Sequence, residues 1–61
     1  MDDPLIMAIS MMRMFGENAE QVALSYADKY RCAGDTENLT LWSQVVDNIR
    51  HQQRLIKDRN A

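Results

Sequence analysis

The segment 4–15 constrains the fold more than any other part of this chain, because it predicts a helix that is apolar on almost every side. Its only polar side chains are Ser10 and Arg13. A helix with apolar residues all round is expected to be buried all round. However, a chain of 61 residues buries only roughly 60% of its unfolded surface. This helix therefore carries more apolar surface than the rest of the chain can easily cover.

Glycine and proline are rare in the sequence, and each falls where a helix is expected to begin or end. Pro4 follows Asp3, which predicts a helix start with Asp3 as the capping residue. Gly16 and Gly34 predict left-handed residues that close the first and second helices. The remaining capping candidates are Asn18, with Gln21, for the second helix and either Asp35 or Thr36 for the third.

These signals predict an all-α fold, because no segment alternates β-branched and polar residues between turns. We expect a single small domain made of three helices with short connections, and we expect this unit to associate as a dimer. The predicted helices cover about residues 4–15, 18–33 and 36–57, and the predicted frayed tail covers 58–61.

The expected core combines one face of each helix. The third helix has apolar residues three and four positions apart, interrupted by Gln53, which either lies in the bundle core or sets the register of a dimer seam. The second helix presents small alanines beside two tyrosines. The residues expected in the core are Leu5, Ala8, Ile9, Met12 and Phe15, then Ala19, Val22, Ala23, Tyr26, Ala27, Tyr30 and Ala33, and finally Leu39, Trp42, Val46, Ile49 and Ile56.

Met7, Met11 and Met14 are left over once one side of the first helix is assigned to the core. They follow one another at helical spacing, and methionine is frequent on adaptable binding surfaces because its side chain is flexible and polarizable. We predict that these three residues bind a partner, either a second copy of the chain or another protein. The alternative is that they fill the core beneath the third helix.

No pattern in the sequence indicates an enzyme, a cofactor or a small-molecule substrate. Cys32 and His51 are the only residues of their types, whereas a closed zinc site needs four ligands. The first apolar run is too short to span a bilayer, and Asp2 and Asp3 stand where a signal peptide would be basic. We therefore expect a cytoplasmic protein without a metal, and a structural Cys32 that is at least half-buried.

Nucleic-acid binding is the alternative function, and it would use the basic end of the third helix. Arg50, Arg54 and Lys57 fall on one stripe that could meet phosphates. The net charge of −2 and the acidic turn at Asp35 and Glu37 argue against such binding. We therefore rank this function below protein association.

A pattern of small and apolar residues extends over about residues 8–52 and includes a Gly-Asp turn before a helix that bears tryptophan. Its residues are Phe15, Gly16, Ala19, Ala23, Ala27, Gly34, Asp35, Trp42, Val46 and Ile49. In this pattern the chain resembles a family of short alphaproteobacterial helical proteins that share a domain without an assigned function. The resemblance implies two or three helices and a bacterial cytoplasmic protein, and it brings no activity or site residues.

Overall fold

The computed structural model describes the backbone of residues 3–59 and the side chains of residues 3–57. Helix α1 spans Pro4–Phe15, a 3₁₀ turn spans Gly16–Asn18, α2 spans Ala19–Ala33 and α3 spans Thr36–Arg59. The described residues contain no strand, so the predicted all-α class is confirmed.

The prediction of three separate helices needs a correction at the first connection. Residues 16–18 are themselves helical, so the described backbone forms two uninterrupted helical runs, 4–33 and 36–59, with a bend inside the first. Helix α3 continues to Arg59, so residues 58 and 59, which were expected to belong to the frayed tail, are helical. Residues 60–61 of that tail lie outside the described part of the chain.

Local capping explains where the helices begin and end. The Asp3 carboxylate accepts the backbone N–H of Leu5 at 2.9 Å and caps α1 as predicted. Gly34 is left-handed (φ 72°, ψ 18°), and the N–H groups of Gly34 and Asp35 bond the carbonyls of Arg31 and Tyr30. These two bonds satisfy carbonyl groups that the end of a helix leaves without an intrahelical donor.

Asp35, and not Thr36, caps α3. Its side chain accepts the backbone N–H of Asn38 at 3.2 Å and the Asn38 side-chain amide at 2.8 Å. These two donors hold the pKa of the Asp35 carboxyl below its ordinary value, because both favour the ionised form.

Two caps differ from the sequence-based prediction. Gly16 has positive φ (55°), but its ψ of −125° lies outside the left-handed helical region. Its N–H still bonds the Met12 carbonyl, and the chain enters the 3₁₀ turn directly. Asn18 makes no side-chain cap, because its backbone is helical (φ −87°, ψ −2°) and lacks the extended conformation of a capping residue.

All three helices contribute to one apolar core. Ala19, Ala23 and Ala27 of α2 are buried as predicted, and their small side chains let the neighbouring helices approach closely. Ala33 and Tyr26, also expected in the core, are exposed. The side of α1 that enters the core includes Ala8 and Met12 as predicted, but it is rotated from the predicted side. Leu5, Ile9 and Phe15 are exposed, whereas Met11 is buried. The buried residues of this cluster are Ala8, Met11, Ala19, Ala23, Val45, Val46 and Ile49.

The apolar seam of α3 is confirmed over its central turns only. Val46 and Ile49 are buried, and Val45, which is not part of the predicted seam, is buried with them. The Gln53 side-chain amide donates to the Gly16 carbonyl at 3.2 Å, so α3 is level with the bend at that residue. Ile56 lies one turn further and is exposed, because α3 has there passed the bend between α1 and α2.

Candidate protein contact surface on the first helix

The side of α1 that faces away from the core carries three large apolar residues, Leu5, Ile6 and Ile9, which we call the outer face. They are 44%, 61% and 40% exposed. At about 100° per residue they lie within one arc of the helix, on the side away from Met11. Leu5 and Ile6 lie four and three residues before Ile9, and side chains at these spacings are neighbours on a helix surface, so the three form one patch.

The three methionines predicted to bind a partner do not form a common exposed face. Met11 is only 5% exposed and belongs to the core, and Met7 is half-buried against it. Met14 is 67% exposed and lies near the end of α1. For Met7 and Met11 the structure thus favours the alternative of core filling, and only Met14 remains available to a partner.

The polar residues of α1 hold the signal that could have identified the outer face. Ser10 and Arg13 mark the solvent side of the helix, and the positions opposite them are those of Ala8 and Met11. Ile6 and Ile9 flank the polar residues at helical spacing, which places them on the solvent side. A small residue such as Ala8 at the centre of the inward side further indicates close approach of another helix.

An open groove of about 580 Å³ lies where α3 passes the bend between α1 and α2. Its large apolar side chains are Met12 of α1 and Ile56 of α3, and its lining also includes one acid and one base. The residues that line this elbow groove are Met12, Gly16, Glu17, Gln53, Ile56 and Lys57. The groove is shallow and open to solvent, so it offers a surface for contact and no enclosed space for chemistry.

The basic stripe of α3 is partly neutralised by α2. The Arg50 Nε lies 3.1 Å from a carboxylate oxygen of Glu20, so this arginine is already paired with an acid. Arg54 and Lys57 are exposed on the last turns of α3. All three predicted phosphate contacts are therefore exposed, but the carboxylate beside Arg50 would repel a phosphate there.

The remaining side chains with reactive groups are dispersed. Among the residues that the structure describes, no three His, Cys, Asp or Glu side chains are grouped closely enough to hold a metal ion. Cys32 is exposed, contrary to expectation, because it lies on α2 away from the alanine face. Tyr26 stacks on Trp42 with ring centroids 4.6 Å apart, so packing on α3 accounts for this tyrosine.

Comparison with models of known protein families, with curated proteins and with solved structures finds no match to this chain. The resemblance to short alphaproteobacterial proteins therefore stays a prediction. Within residues 3–59, no helix combines the length and the apolar character needed to cross a membrane. Function has to be inferred from the geometry of the surface.

Proposed function

We propose that this chain is a non-enzymatic helical protein–protein interaction module that self-associates through α1, in the cytoplasm of its cell. The observation that carries the proposal is the exposure of Leu5, Ile6 and Ile9 on one continuous face. Contiguous exposed apolar side chains with polar residues at their edge are typical of protein contact sites. The sequence predicted a contact through Met7, Met11 and Met14. Because Met7 and Met11 pack in or on the core, the proposed contact uses the outer face in their place and keeps Met14.

The small size of the core adds a second reason. The largest fully buried side chains are Ile49 and Val45, and the other core residues are mostly alanines. A core of this kind stabilises a short chain only modestly, and oligomerisation is a common source of further stability. Covering the outer face would remove apolar surface from water without any change in the packing of the three helices.

The proposal is tested by sedimentation velocity over the micromolar concentration range, with wild type, Ile6→Gln and Ile56→Gln. The two variants make the same chemical change at residues of similar exposure, 61% on α1 and 57% on α3. We expect wild type and Ile56→Gln to form a dimer as concentration rises, and Ile6→Gln to remain largely monomeric. Met14→Gln shows whether the contact extends to the end of α1.

Two results would contradict the proposal. One is a wild type that stays monomeric at every concentration. The other is equal weakening by Ile6→Gln and Ile56→Gln, which would show that general surface hydrophobicity, and no particular face, drives association. Circular dichroism of each variant confirms that the helices are retained, because both positions are exposed and neither change should unfold the chain.

The second candidate function is contact with nucleic acid through Arg54 and Lys57 on the projecting end of α3. Their exposure favours it, whereas the pairing of Arg50 with Glu20 weakens it. Binding of this kind would fall steeply as salt is added. The variant Arg54→Glu should abolish it, and the absence of any binding to DNA or RNA at low salt would eliminate this candidate.

A further inference from the structure

The charges on α1 are placed at the two ends of its outer face. Asp3 and Arg13 are the only ionisable side chains among residues 3–15, and Leu5, Ile6 and Ile9 lie between them. Arg13 continues the row of Leu5 and Ile9, four residues after Ile9. The helix thus has an acidic cap at its first end, an apolar centre that includes the outer face, and a basic residue in its last turn, followed by Glu17 in the 3₁₀ turn.

We infer that the occupant of the outer face is a second copy of this chain, whose α1 lies antiparallel to the first about a two-fold axis beside Ile9. The inference rests on the proposed function and adds the partner's orientation and register. Leu5 and Arg13 are each four residues from Ile9, in opposite directions, so the axis places Leu5 level with the partner's Arg13. Two-fold symmetry makes every such contact occur twice.

Charge complementarity selects this orientation. The aliphatic part of the partner's Arg13 covers Leu5, and its guanidinium group reaches the Asp3 carboxylate, two residues further along. One oxygen of Asp3 already accepts the Leu5 N–H at 2.9 Å, and a carboxylate has capacity for more donors. A parallel pair would instead place the two Asp3 carboxylates together and the two Arg13 side chains together, which is repulsive.

The proposed contact is small, because each copy contributes only one helix to it. One helix from each copy buries less than the roughly 1,200–2,000 Å² of a standard protein interface. We therefore expect a dissociation constant in the micromolar range or weaker. The elbow groove lies at the far end of α1 and is not needed for this contact, which predicts that variants of Ile56 leave the dimer unchanged.

Disulfide trapping tests the orientation in a Cys32→Ser background. Two Ile9→Cys side chains meet at the axis and should form a cross-linked dimer under mild oxidation. Two Leu5→Cys side chains would stand about 12 Å apart along the antiparallel helices, beyond the roughly 4.4–6.8 Å between the Cα atoms of a disulfide. Ile56→Cys gives the background of chance collisions, because its exposure resembles that of the outer face.

The charge pairs are tested by Asp3→Asn and Arg13→Gln. Asparagine keeps the cap of α1 and removes the charge, so any effect on association belongs to the pairing. Each variant should weaken the dimer about fivefold, the effect of two exposed ion pairs. The two changes together should weaken it no further, because either one alone already breaks both pairs.

The outcomes separate the inference from the proposed function. Equal cross-linking of Leu5→Cys and Ile9→Cys would overturn the antiparallel register and leave self-association through α1 intact. A dimer that is insensitive to Ile6→Gln would overturn both, and so would a wild type without any dimer. Fast cross-linking of Ile9→Cys, with Leu5→Cys at the background rate, supports the antiparallel pair.

Discussion

Met11 and Met14 provide a matched pair that tests how α1 is rotated against the rest of the molecule. Both are methionines of the same helix, three residues apart, but Met11 is 5% exposed and Met14 is 67% exposed. Truncation of a buried methionine to alanine costs about 2–5 kcal/mol. We expect about 2–3 kcal/mol for Met11→Ala, because a helix of a small bundle relaxes into part of the cavity. Met14→Ala should change stability by less than about 0.5 kcal/mol.

These magnitudes are large compared with the total stability. A chain of 61 residues has a free energy of unfolding of roughly 3–9 kcal/mol. Met11→Ala should therefore lower the urea midpoint severely or unfold the chain. The measurement is urea denaturation followed by circular dichroism, at a concentration where any dimer has dissociated. A loss of stability for Met14→Ala equal to or greater than that for Met11→Ala would refute the rotation of α1 that buries Met11 and exposes Met14.

Three further predictions concern local features. Gly34→Ala should lower the free energy of unfolding, measured by urea denaturation, by about 1–2 kcal/mol. The φ of Gly34 is +72°, and an added Cβ would meet no atom within 4 Å, so the loss comes from backbone conformation alone. The lowered pKa of Asp35 means that its cap stabilises the fold fully above the ordinary aspartate pKa and loses this effect as pH falls below about 4. The urea midpoint of wild type should therefore fall more between about pH 6 and pH 3 than that of Asp35→Asn. Gln53→Ala should lower the free energy of unfolding by about 0.5 kcal/mol, because the lost hydrogen bond to the Gly16 carbonyl is exposed. The same change should leave dimerisation unchanged.

The features that could be predicted from the sequence are those that neighbouring residues decide. Asp3 caps α1 through an amide two residues away, and the end of α2 at Gly34 depends on one residue that tolerates positive φ. The alanine face of α2 was also predictable, because the small residues recur every fourth position on a helix whose other side is polar. Local chemistry and clear periodicity were sufficient in these cases.

The rotation of α1 depended on information that its apolar pattern does not contain. When apolar residues surround a helix, their periodicity gives no direction. Only Ser10 and Arg13 mark the solvent side, and the fit of α2 and α3 against the helix then buries Met11 and leaves Leu5 exposed. The exposure of Ile56 has a similar cause, because the relative lengths of the helices decide where the seam of α3 loses its neighbours. The missing cap at Asn18 follows from the 3₁₀ turn, which keeps the chain helical through the bend.

The most direct test of the central claim, that the outer face of α1 is the contact surface, is a dilution series of ¹⁵N-labelled protein followed by amide chemical shifts. This measurement locates the contact without any substitution. We predict concentration-dependent shifts that are largest between Leu5 and Arg13, with little change on the projecting end of α3 around Ile56. Shifts independent of concentration, or shifts centred on α3, would contradict the account.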